Sequence, residues 1–316
     1  MAQGNVASRF LDAAEEPSKT LTPIDGYEKK PLVSLDEAVT QIVPPLHNLS
    51  SMVWAAKRNS RNPSDSLTSD ESASIHLYTM EWPEAHQSVY TLLNKQLRSE
   101  QRNDLKSWRH YLKLFLTALH KLPSLKKTIW RGIRDDVSDQ YQEDFIWWGV
   151  SSCTETMKIM EKFVGRSGVR TLFMIECING KAIKSHSFYK DENEIILMPG
   201  TYLRVIDKWS PADDLYIIHL QEETPPCPLV ASPFDSSSPS VDMLPLYKIK
   251  ISKTDPSSSQ AASAISHGKF DYIFPFFLKG FDRLKCYSIE ELSKRQNRLI
   301  ECFRDSKNYF SSPEHR

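Results

Sequence analysis

The spacing of apolar residues changes character at Pro123, and that change constrains the fold more than any other feature. Upstream of it, Val89, Leu92, Leu93 and Leu97 recur at helical spacing, and Trp108, Leu112, Phe115, Leu116 and Leu119 make a complete apolar stripe. Ser34 with Glu37, and Thr68 with Glu71, read as capping boxes that open helices. Pro44 and Pro45 should end or kink the first helix, and residues 59–69 read as a polar loop. From residue 128 to 221 the pattern becomes β-branched and aromatic runs separated by turn residues. A helical block followed by a strand-rich block predicts an α+β chain, not alternating parallel units. The expected architecture is a helical N-terminal lobe followed by a mixed or antiparallel, β-sandwich-like core.

Strands are expected near 128–133, 145–153, 171–178, 194–198, 202–207 and 215–221, with a short helix over 155–164. Asn179-Gly180 and Pro199-Gly200 read as turn dipeptides. The chain divides into an irregular arm (1–30), a main domain (31–222), a Pro/Ser-rich linker (223–267) and a C-terminal segment (268–316). The helical lead-in of the main domain covers 34–120 and its β-rich core 128–221. In the last segment an aromatic cluster precedes an amphipathic helix capped by Ser288 and Glu291.

Composition excludes several function classes. Lys plus Arg and Asp plus Glu each number 40, so no global basic footprint points to nucleic acid. No apolar run approaches the roughly 20 residues of a membrane helix, and Met1–Phe10 carries no apolar signal region. A cytoplasmic location without membrane contact is expected. The five cysteines are scattered and never form a C-x-x-C pair, so neither a disulfide framework nor a metal site is expected.

Three segments of the strand-rich block can carry chemistry together. They are Thr128-Ile129-Trp130-Arg131-Gly132, Trp147-Trp148-Gly149-Val150-Ser151-Ser152-Cys153-Thr154, and Asp191-Glu192-Asn193-Glu194 leading into Ile195-Ile196-Leu197-Met198-Pro199-Gly200. In a strand, Glu192 and Glu194 would share one face, because side chains alternate with period two. Cleaving a glycosidic bond to a ribose develops an oxocarbenium-like centre, which a fixed carboxylate stabilises. A second carboxylate can orient a cationic acceptor and take its proton. Arg131 offers a planar fork suited to a diphosphate, and the Ser152 hydroxyl could hold the key glutamate in its rotamer. Each piece also has a plain structural reading: a salt-bridging arginine, a helix cap, a solvated acidic loop. Their order and strand contexts give the combination its weight.

These segments resemble the Arg, Ser-Thr-Ser and Glu-x-Glu signature of the arginine-specific ADP-ribosyltransferases, over residues 66–222. The resemblance implies NAD as the substrate, with NADP the open alternative, no metal, and an arginine-containing protein as acceptor. It implies that Glu194 is the catalytic glutamate, that Glu192 prepares the target guanidinium, and that Ser152 positions the nicotinamide ribose and Glu194. It further implies that Arg131 contacts the phosphates, that Gly132 and nearby backbone hold the nicotinamide amide, and that Phe163 stacks on nicotinamide. Ser187 precedes the glutamates as in the family. Cys153-Thr154 stands where the family has Thr-Ser, a departure that touches fine positioning. Two other readings remain: an NAD glycohydrolase, and an inactive interaction module of the same fold. Neither the sequence nor the resemblance fixes an oligomeric state.

Overall fold

A computed structural model of the chain describes residues 16–17, 21–43, 45–82, 88–156, 160, 164–165 and 167–234. All belong to the first of two compact units, residues 1–244. The expected C-terminal helix with its Ser288–Glu291 cap, the aromatic cluster and most of the linker lie outside the described residues.

The helical lobe comprises α1 (Leu35–Val39), α2 (Leu49–Asn59), α3 (Ser69–Thr79), α4 (Val89–Leu97) and α5 (Arg109–Lys121), the last entered through a 3-10 turn at Arg102–Trp108. Both capping boxes form: Ser34 and Thr68 accept from the Glu37 and Glu71 amides, and those glutamates reach back to the cap backbone. Each box satisfies two amides that a helix start otherwise leaves without partners. Val89, Leu93 and Leu97 of α4 and Trp108 to Leu119 of the α5 stripe are buried in one apolar core. Helix α1 stops at Val39, ahead of the two prolines.

Among the described residues seven strands follow: β1 (Ser124–Ile133), β2 (Phe145–Trp147), β3 (Ser151–Thr154), β4 (Arg170–Ala182), β5 (Glu194–Leu197), β6 (Thr201–Ala212) and β7 (Leu215–Glu223). Strand β4 organises them. One of its edges pairs with β1 along nearly its whole length, from Ser124↔Lys181 to Ile133↔Thr171. Its residues 170–176 pair in parallel with β7, and Lys181 and Ala182 pair with β5. Because β5 pairs with β3 and β3 with β1, these four strands close on themselves, while β7, β6 and β2 extend the sheet. Residues from all seven strands, among them Ile129, Trp147, Cys153, Phe173, Ile195, Leu203 and Ile218, fill the interior.

Two expectations need correction. The single strand expected over 145–153 is two, because the intervening backbone bonds to other parts of the chain. The Val150 amide donates to Asn94 Oδ1 at 2.8 Å, its carbonyl accepts from Asn94 Nδ2 at 2.9 Å, and the Trp148 amide donates to Glu16 at 2.8 Å. Asn179-Gly180 is no turn but lies inside β4, where Leu125 pairs with Gly180. A Cβ on Gly180 would come within 2.9 Å of Cys177 Sγ and 3.0 Å of Ile195 Cγ2, so this glycine serves close packing. Pro199-Gly200 does turn, with Gly200 at φ 70°. Of the helix expected over 155–164, Met160 and Val164 are helical, and residues 157–159 and 161–163 lie outside the described set.

The arm and the first residues of the expected linker pair with each other. The Ile24 amide donates to Leu229 O at 2.8 Å, the Ala231 amide donates to Ile24 O at 3.0 Å, and the Tyr27 hydroxyl donates to Ala231 O. Leu21, Ile24 and Tyr27 are buried in the core of the helical lobe.

Candidate active site

The site lies where β1, β3 and β5 run side by side. Trp130 of β1 is opposite Thr154 of β3, which is opposite Glu194 of β5, so one row crosses three strands. In the next row Ser152 is opposite Ile196. With period-two alternation, Ser152, Thr154, Glu194 and Ile196 share a face. Ile196 belongs to the apolar cluster of the helical lobe, so this face turns toward the helices. Ser152 and Glu194 are diagonal neighbours on it, with backbones roughly 7–8 Å apart.

Both of these side chains are fully buried. The Ser187 hydroxyl donates to Glu194 Oε2 at 2.9 Å and accepts from the Tyr189 amide at 3.2 Å. Its one proton is therefore directed at the carboxylate. Ser152 Oγ, in contrast, makes no hydrogen bond to any described residue. A buried hydroxyl without a partner costs about 1–3 kcal/mol. The sequence expectation gave Ser152 the task of holding the glutamate; in the structure Ser187 makes that bond.

Glu192 lies outside the strand. Strand β5 begins at Glu194, and Asn193 adopts left-handed backbone geometry at φ 45°, so the two glutamates are not successive members of one strand face. Lys184 Nζ donates to Asn193 Oδ1 at 2.7 Å, and Thr154 Oγ1 donates to Glu192 O at 3.5 Å, which ties this turn to the chain just after β4 and to β3. The Glu192 side chain is half-buried.

Arg131 sits on the other side of the sheet. It is opposite Phe173, whose ring belongs to the strand interior with Ile129 and Cys153. Its side chain is fully buried, with the guanidinium carbon 5.8 Å from the centre of the Trp147 ring. Nη1 donates to the Ser152 carbonyl at 3.0 Å. Arg131 thus touches the serine through the backbone. Trp147 Nε1 donates to Ser151 Oγ at 2.8 Å on the same side. The Cys153 thiol also faces this interior, and burial pushes its pKa up to about 12 despite the nearby Arg131 charge. At Cys153 the departure from the family's Thr-Ser is therefore a change in the core, and the thiol is protonated and inert at neutral pH, whereas Thr154 lies on the face shared by Ser152 and Glu194. A Cβ on Gly132 would lie 2.2 Å from Val164 Cγ1 and 3.1 Å from Leu172 Cδ2; the glycine lets the segment bearing Met160 and Val164 approach β1. Phe163 lies outside the described residues.

Several supporting residues carried no sequence signal strong enough to single them out. Tyr78 OH donates to the Val150 carbonyl at 2.9 Å, beside the two bonds from Asn94, so α3 and α4 grip the residue that leads into β3. Glu16 bridges the Trp148 amide and Arg98, whose Nε is 2.8 Å away. A polar Asn94 beside the apolar stripe of α4 was the one available hint, since buried amides are retained only with partners.

Among the described residues, no group of three or more His, Cys, Asp or Glu is arranged to hold a metal, and no helix is long and apolar enough to cross a membrane. No curated protein sequence is significantly similar to the chain. Among solved structures, the eukaryotic mono-ADP-ribosyltransferase ART2.2 is similar over 67% of this chain and 95% of its own, at 17% identity and a TM-score of 0.48. The ADP-ribosyltransferase Vis of Vibrio splendidus, solved with agmatine, is 18% identical over 60% of this chain and 90% of its own, with a TM-score of 0.42. HopU1 of Pseudomonas syringae is 15% identical over 65% of this chain and all of its own, with a TM-score of 0.44. The family model for NAD:arginine ADP-ribosyltransferase matches residues 33–227, well over half of the chain and every strand described above. The chain belongs to that family, whose enzymes transfer ADP-ribose from NAD.

Proposed function

We propose that the chain transfers ADP-ribose from NAD to an arginine side chain of a protein, with Glu194, Ser152 and Glu192 in distinct roles. The observation that carries this reading is the pairing, on one strand face, of a buried carboxylate held by Ser187 with a buried hydroxyl that has no described partner. The bond from the nicotinamide nitrogen to C1′ of the ribose breaks, and its electron pair leaves with neutral nicotinamide. Positive charge develops at C1′, where Glu194 stabilises it and grips the neighbouring hydroxyl. Ser152 positions that ribose. A guanidinium nitrogen of the acceptor then bonds to C1′. Since a free guanidinium stays protonated far above neutral pH, the attack needs a base, and Glu192 at the mouth of β5 accepts the proton. Arg131 supports this arrangement by holding the Ser152 carbonyl; contact of its guanidinium with the diphosphate would need the buried group to open toward the ligand. NAD is the donor in this reading, and use of NADP is a further question for the same assay.

The test is nicotinamide release from labelled NAD with and without agmatine. The reading expects ADP-ribosylated agmatine, and it expects Glu192→Gln to lose that product while some NAD hydrolysis persists. Release that is indifferent to agmatine and yields only free ADP-ribose would assign the chain to NAD hydrolysis instead.

A further inference from the structure

We propose that His186 is a positioning residue for the transfer reaction, acting with Asp65 and Ser72 to fix the turn that presses the Ser187 hydroxyl onto Glu194. His186 is buried, at 1% exposure, and both of its ring nitrogens are engaged. Nε2 is 3.0 Å from Asp65 Oδ2 and Nδ1 is 2.9 Å from Ser72 Oγ. The carboxylate can only accept, so Nε2 carries the proton and Nδ1 accepts from the Ser72 hydroxyl. Asp65 lies in the loop before α3, and Ser72 lies on α3 itself. The imidazole therefore ties the β4–β5 connection to the helical lobe.

Ser187 is held on both sides. The His186 and Ser187 amides both donate to the Ile183 carbonyl, at 2.8 and 2.7 Å, which closes a tight turn. On the far side the Phe188 amide donates to Thr79 Oγ1, at the other end of α3, at 2.8 Å. One helix thus fixes the residue before Ser187 and the residue after it. A serine hydroxyl has a free rotor, and its bond to a carboxylate keeps a productive geometry only if its backbone is fixed.

Ser72, His186 and Asp65 thus form one hydrogen-bonded relay between α3, the loop before it and the turn. The relay reaches Ser187, one residue along the chain. The inference rests on the assignment of Glu194 as the carboxylate that bears on the ribose.

The experiment is a double-mutant cycle on full-length protein, following nicotinamide release with agmatine as acceptor. His186→Ala and Ser187→Ala are each expected to lower kcat by about 10-fold, with KM for NAD within about threefold of wild type. The double variant should be no slower than Ser187→Ala alone, because His186 acts through Ser187. A His186 effect that multiplies with that of Ser187, or a folded His186→Ala protein with wild-type kcat, would overturn the proposal. If His186→Ala does not fold, Ser72→Ala removes one hydroxyl from the relay and is read by the same cycle. Glu194→Gln separates the two levels: nicotinamide release retained in that variant defeats the site assignment, whereas a dead Glu194→Gln beside an unimpaired His186→Ala defeats only the role of His186.

Discussion

The two faces of the β3–β5 ladder have opposite duties, although each strand is only four residues long. One face sends Cys153, Ile195 and Leu197 into the strand interior. The other presents Ser152, Thr154 and Glu194 toward the helical lobe. A single backbone step separates a protonated, inert thiol from a buried hydroxyl with no described partner. The lesson is that stability and chemistry here are divided by strand alternation and not by region, so neighbouring substitutions should have sharply different signatures.

The largest separation is expected at Glu194. Glu194→Gln should reduce nicotinamide release by a factor of hundreds or more, about 3–4 kcal/mol of transition-state stabilisation, while the thermal midpoint stays close to wild type. Its neighbour should do the reverse. Ile195→Ala empties space in the interior and should cost about 2–5 kcal/mol in urea unfolding, with kcat of the folded enzyme changed only a few-fold. Smaller again, Cys153→Ser places a hydroxyl among apolar groups and should lose about 1–3 kcal/mol of stability, read by the same urea titration. The smallest stability effect is expected at Ser152. Ser152→Ala removes a hydroxyl that has no described partner, so the folded state should hold its stability or gain about 1 kcal/mol, yet transfer should slow by about 10-fold. Equal losses of stability and activity across these four variants would erase the distinction between the faces.

How much of this was legible in the sequence depends on where polar groups find their partners. Helix α5 was readable because Leu112, Phe115, Leu116 and Leu119 recur at helical spacing and are all buried. Helix α3 was marked only by its capping box. Every residue from Glu71 to Thr79 is buried, so the helix shows no apolar stripe. Its polar side chains bond locally and across the fold: Ser74 to Glu71 O at 2.7 Å, Thr79 to His76 O at 2.9 Å, and Glu71 to Lys121 at 2.7 and 2.8 Å. Neither the bonds to the preceding turn of the same helix nor the distant pair with Lys121 leave a periodic trace. The same holds at the site. The Arg, Ser and Glu segments stood out through their strand contexts. The bond from Ser187 to Glu194 and the left-handed turn at Asn193 depend on tertiary geometry. The strand start at Glu194 was legible, but the period-two argument that put Glu192 on the same face needed strand geometry in the turn before it, where Asn193 is left-handed.

The Glu16 contacts carry a practical consequence for where this domain is cut. The family match starts at residue 33, yet the carboxylate that meets Arg98 and the Trp148 amide belongs to residue 16, and Ile24 and Tyr27 bind the returning chain at 229–231. A protein shortened to the matched span would strip a counter-charge from an arginine side chain only 6% exposed, a loss of the kind that costs about 3–5 kcal/mol. The span that similarity recognises is therefore narrower than the span that packs together, and a truncated form is expected to lose stability through the missing arm.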